Sequence, residues 1–144
     1  MVGGTGRGGA DLTMRRTLAA AAAYFAIVFS LAFLLGVART LFVAPRVGEV
    51  IAVLIEAPIL LLISWRAASW SIRRFSIAAR ASERLTMGLV AFLLLMTVET
   101  AMSLLLFSRP LAQQIAAYGT LAGAIGLVAQ AAFGVIPLLA ARRR

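Results

Sequence analysis

The feature that most constrains this chain is the length of its uncharged apolar runs. Leu18 to Ala38 contains no charged residue, and the apolar character resumes from Leu41 to Ala44. A helix rises 1.5 Å per residue, so about 20 apolar residues cross the ~30 Å hydrocarbon layer of a bilayer. Val47 to Trp65, Leu85 to Phe107 and Leu111 to Ala140 are three further runs of comparable length. In lipid, every backbone N–H and C=O must be satisfied within the protein, which leaves helices for segments of this kind. The expected fold class is therefore all-α: a polytopic membrane protein built as a four-transmembrane-helix bundle. The helices are placed at about 18–42, 46–65, 85–107 and 112–140, within a transmembrane domain of 17–141.

Composition agrees. The 144 residues are 62% hydrophobic and only 13% charged, with a mean hydropathy of +1.00. A soluble domain carries about 25% charged residues and needs them to cover its surface. Arg15 and Arg16 ahead of the first run resemble the head of a signal peptide. The run exceeds the usual ~7–15 residues, however, and no small-residue cleavage site closes it before Arg39, so it reads as a retained span. Residues 1–16, rich in glycine at their start, are expected to be a flexible cytoplasmic tail, with Met14 as an alternative start.

All fourteen basic residues are arginines, and their distribution sets the orientation. Eleven flank the N-terminus, the segment 66–84 and the C-terminus 142–144; Arg39, Arg46 and Arg109 lie in the other two connections. The positive-inside rule places both termini and the basic 66–84 loop in the cytoplasm of a bacterial inner membrane. Part of 66–84 reads either as a surface helix or as an extension of the second helix before a loop. Trp65 and Trp70 suit an interface there. Arg66, Arg73, Arg74, Arg80 and Arg84 are the candidate contacts for anionic lipid headgroups. The net charge of +9 is thus assigned to the membrane, and no nucleic-acid partner is expected.

With no Cys and no His, thiolate and imidazole chemistry are excluded, and neither a metal nor a cofactor is expected. The residues that stand out are acids within apolar spans. Glu56 lies about nine residues into the second span, roughly 14 Å deep, where a carboxylate must turn inward and find a partner. Pro58 beside it removes a helical N–H and favours a kink. Glu49 lies one heptad earlier on nearly the same stripe. Glu99, with Thr100 and Ser103 on the same helix, falls at a similar depth and could face Glu56. A buried polar network of Arg39, Glu49, Glu56, Glu99 and Gln130 is expected, with Gln130 meeting either Glu56 or Glu99. Gly119, Gly123 and Gly126 form a small-residue stripe suited to close helix packing or to a homo-oligomer.

The stretch Arg39 to Trp70 carries Arg39, then Pro45-Arg46-Val47-Gly48-Glu49, then Glu56-Ala57-Pro58. It resembles a family of small, uncharacterised proteobacterial multi-pass inner-membrane proteins. That resemblance implies a multi-helix membrane fold and brings no activity with it. The function expected from the residues is that of a membrane accessory or scaffold protein, not an enzyme, associating with itself, with a larger membrane protein or with anionic lipid. The alternative is a small proton-, ion- or substrate-transport component using Glu56 and Glu99.

Overall fold

A computed structural model describes residues 5–140; residues 1–4 and 141–144, the basic end included, lie outside the described residues. The chain is all-α, and four of its helices are long and apolar enough to cross a membrane. Helix α1 spans Thr5–Ala38 and continues through a π-helical turn, Arg39–Val43, into a last turn, α2, at Ala44–Val47. Then follow α3 (Glu49–Arg74), α4 (Ala81–Leu105), the short α5 (Leu111–Ala117) and α6 (Leu121–Leu139).

Several boundaries differ from the sequence expectation, each for a local reason. Of the expected flexible tail 1–16, the residues from Thr5 onward are helical, and residues 1–4 lie outside the described residues. Extending an established helix is far cheaper than nucleating one, and an exposed Asp11–Arg15 pair at 3.3 Å lies along its side. Pro45 does not open the second helix. Its ring would crowd the carbonyl of Leu41 in an α-helix, and the wider π turn immediately before it, closed by Ala44 N–H to Arg39 O, makes room. The break falls at Gly48, whose φ of +86° is open to glycine at no steric cost.

Of the two readings of 66–84, the structure shows the helix extension: α3 runs on to Arg74, and the loop proper is residues 75–80. That helix ends in a Schellman motif: Ile77 N–H bonds Ile72 O at 3.0 Å and Ser76 N–H bonds Arg73 O at 3.3 Å, with Ser76 left-handed at φ +52°. The last expected helix, 112–140, is broken at Tyr118–Thr120, and the Thr120 hydroxyl caps α6 by accepting from Gly123 N–H. Pro58 lies inside α3, which continues through it.

The four spans form a square in which α1 and α6 each pack against both α3 and α4. Helices α3 and α4 occupy opposite corners, although they are consecutive. Six residues of turn reach up to ~20 Å, enough for the diagonal of helices packed 8–10 Å apart, roughly 14 Å.

Burial is uneven along the bundle axis. In α1 the buried positions are Thr17, Ala20, Ala21, Tyr24 and Val28; in α3 they run from Ser64 to Ile72, with Ala52 alone beyond them. In α4 they run from Arg84 to Leu95, and in α6 they are Phe133, Ile136 and Pro137. All but Ala52 lie between the α3–α4 turn and about mid-span, where Leu95 is the farthest along α4. The other half, holding the α1–α3 connection and α5, is open.

Candidate functional site

The closed half is built around a proline. Pro137 cannot donate to the carbonyl of Phe133, four residues earlier, so that carbonyl loses its helical partner in a dry interior. Tyr24 of α1 reaches across the square and donates its hydroxyl to Phe133 O at 2.8 Å, while its ring stacks on Phe133 at 4.5 Å. Ser64 of α3, 2% exposed, is buried in the same half. Tyr24, Met87, Pro137, Ser64 and Ser71 are the largest fully buried side chains, and they plug the axis.

Glycine lets α4 and α6 close on each other in this half. A Cβ on Gly88 would stand 1.9 Å from the carbonyl oxygen of Gly134, and one on Gly134 would meet Phe92 at 3.3 Å. The glycines that stand out in the sequence serve other ends. Gly119 and Gly123 approach the carbonyls of Ala116 and Ala117 within the α5–α6 turn, and a Cβ on Gly126 would meet nothing within 4 Å. Gly126, Gln130 and Gly134 share one helical stripe. Along that stripe the close contact at Gly134 gives way to open space at Gly126, about two turns away.

Polar groups gather in the open half as two separate clusters. The π turn carries Arg39 to the α1–α3 groove, where its Nη1 donates to Glu49 Oε2 at 2.7 Å and its Nε lies 2.6 Å from Glu56 Oε2. The Nε contact is an ion contact whose angle falls outside a hydrogen bond. The Glu56 side chain is 14% exposed against 60% for Glu49, so Glu56 is the deeper anchor. Gly36 faces it, and a Cβ on that glycine would stand 4.0 Å from Glu56 Oε1. Arg46 turns away and caps its own helix by donating to Phe42 O.

The second cluster joins α4, α5 and α6. Gln130 Nε2 donates to both oxygens of Glu99, at 2.8 and 2.7 Å, and Gln114 Nε2 lies 3.4 Å from Thr100 Oγ1. The amide oxygens of Gln114 and Gln130 are buried without a donor among the described residues. Glu56 and Glu99 thus do not meet: each has its own partner, on helices at opposite corners of the square.

At the other end, Arg84 is not free for lipid. It is 6% exposed and donates to the carbonyls of Ala78 and Ile77, at 2.9 and 3.3 Å, stitching the α3–α4 turn to the bundle. Its burial has one sequence signal, an arginine at the start of an apolar run, but the same signal fits a headgroup contact. Arg73, Arg74 and Arg80 are exposed, as is Arg66. Neither Tyr24 nor the Gly88–Gly134 crossing stands out in the sequence. The pairing of a tyrosine with a proline-freed carbonyl across 109 positions leaves no local mark there. No family model, no curated protein and no solved structure matches this chain.

Proposed function

We propose that this chain is a multi-pass accessory or scaffold protein of a bacterial inner membrane, with both ends in the cytoplasm and no catalytic role of its own. Its partner is a transmembrane helix, of a larger membrane protein or of a second copy, received by the open half. Anionic lipid surrounds the arginine-rich end. The observation that carries this reading is the room on the inward face of α6: a Cβ on Gly134 would meet Phe92 at 3.3 Å, whereas one on Gly126 would meet nothing within 4 Å. Apolar helices gain no hydrophobic drive by separating in lipid, and packing contacts are what hold membrane helices together. An inward stripe left open is suited to contacts from another helix.

A photoreactive residue at position 126, in native membranes, is expected to give one discrete protein adduct, while the same residue at the outward-facing Leu89 gives none. Adducts from neither position, or a diffuse smear from both, would refute the reading. Reporter fusions near Arg74 and at both termini are expected to report cytoplasm.

The Arg39–Glu49–Glu56 cluster supports a second reading, a small proton- or cation-transport component, because two carboxylates face one guanidinium. Against it stands the plug of Tyr24, Ser64 and Met87 on the axis of a single copy. Flux into liposomes that disappears with Glu56→Gln would favour transport over the scaffold role.

A further inference from the structure

Between α1 and the α3–α4 turn lies a half-enclosed cavity of about 220 Å³, lined chiefly by Arg16, Ser76, Ile77, Ala78, Arg80 and Glu83. We infer that this cavity binds the phosphate of an anionic phospholipid headgroup, held between the guanidinium groups of Arg16 and Arg80. This deepens the anionic-lipid element of the proposed function and rests on it.

Charge, depth and shape each support the assignment. Arg16 has no ion-pair partner among the described residues, and the one acid near Arg80 is Glu83, 3.9 Å away. Glu83 is already engaged, accepting from Ala78 N–H at 3.3 Å, and buried Arg84 lies behind the same wall on the carbonyls of Ile77 and Ala78. Three guanidinium groups against one carboxylate leave the cavity positive. The Ser76 hydroxyl has no hydrogen-bond partner among the described residues and is available to donate. The volume is far above the ~15 Å³ that a single water requires, so a phosphate group fits.

Depth selects a lipid over a soluble phosphate. The apolar run of α1 starts at Leu18, two residues after Arg16, and that of α4 starts at Leu85, five residues after Arg80. The cavity therefore lies where the hydrocarbon ends, at the level of lipid phosphates. A second groove of about 550 Å³ adjoins it between α1 and α4, sharing Thr13, Arg80 and Glu83. Its walls include Ala10, Met14, Thr17 and Thr86, small or partly apolar surfaces that suit the rest of a headgroup better than a bare anion.

The test is native mass spectrometry on the full chain in mild detergent, titrated with phosphatidylglycerol, phosphatidylcholine or inorganic phosphate. The wild type should retain phosphatidylglycerol in preference to phosphatidylcholine, and inorganic phosphate should not displace it. Arg16→Gln and Arg80→Gln should each weaken retention about fivefold, and together roughly thirtyfold, from the usual contribution of a basic side chain at the surface. The double lysine variant should keep most of the affinity, which separates lost charge from lost structure. An equal loss from the control pair Arg66→Gln and Arg73→Gln would overturn the site in favour of general surface charge. So would displacement by inorganic phosphate, which would make the ligand a soluble anion. If the double glutamine variant retains lipid like the wild type, the site is wrong while the lipid reading stands; if the wild type shows no preference at all, both fail.

Discussion

The two halves of the bundle use the same four helices to opposite ends. Near the α3–α4 turn, small residues fill the buried faces, Ala20 and Ala21 on α1, Ala67 and Ala68 on α3 and Ala91 on α4, and the backbones of Gly88 and Gly134 come close. The turn itself is closed by a Schellman motif and by Arg84. Toward α5 the inward positions carry Glu56, Glu99, Gln130 and Arg39, which are too long and too polar for such contact. Membrane helices associate through close packing of small residues and through hydrogen bonds between helices. The closed half uses mainly the first and the open half mainly the second. Side-chain bonds span a gap where backbone contact would close it, so the polar half stays wider.

This contrast is most easily broken at glycine. Gly88→Ala puts a methyl against the Gly134 carbonyl and is expected to destabilise the bundle by about 3 kcal/mol in a reversible detergent unfolding assay. Gly126→Ala, on the inward stripe of the open half, should be neutral or stabilising by up to about 1 kcal/mol, since alanine favours helix and meets no neighbour. Similar effects at both positions would remove the distinction between the halves.

The Tyr24 bond comes next in size. Tyr24→Phe strands the buried carbonyl of Phe133 and should lose about 1–2 kcal/mol. Pro137→Ala returns a helical N–H to that carbonyl, so in its background the Tyr24→Phe penalty should shrink toward zero. A penalty unchanged by Pro137→Ala would show that the bond does not serve the role assigned to it. A double-mutant cycle in the same unfolding assay measures this coupling.

Much of this architecture is legible in the sequence because lipid imposes a simple rule on length and polarity. The runs beginning at Leu18, Val47, Leu85 and Leu111 give four spans by counting alone, and Glu56 and Glu99 announce themselves as acids among apolar neighbours. What counting does not give is adjacency. A short 75–80 turn reads as joining neighbouring helices, yet α3 and α4 sit across a diagonal, and that one fact separates Glu56 from Glu99. Nor does a Gly-x-x-x-Gly spacing tell which glycine meets another helix. Gly119 and Gly123 fit the pattern and serve a turn, whereas Gly88 and Gly134 lie on different helices and form the crossing. An arginine at the end of a span commonly reaches headgroups, and nothing in the sequence sets Arg84 apart from that pattern. Its burial goes with its bonds to the carbonyls of Ile77 and Ala78, in the turn just after left-handed Ser76.

The smallest expected effect concerns that serine. A non-glycine residue at φ +52° is strained, and Ser76→Gly should relieve part of it, stabilising the bundle by about 0.5 kcal/mol after the greater freedom of glycine in the unfolded chain is offset. A clear loss of stability in the unfolding assay would mean that the Ser76 side chain holds the turn, contrary to the Schellman geometry.

Thiol accessibility from the lipid phase separates the closed half from the open one. The natural sequence has no cysteine, so a single Cys at position 91 or 126 reports without background. In the purified monomer reconstituted in vesicles, a membrane-confined apolar maleimide should label position 126 rapidly. Position 91, where Ala91 is 0% exposed, should stay protected until the bundle is unfolded. Equal protection at both sites would contradict the account, because the inward stripe of α6 would then be packed along its whole length.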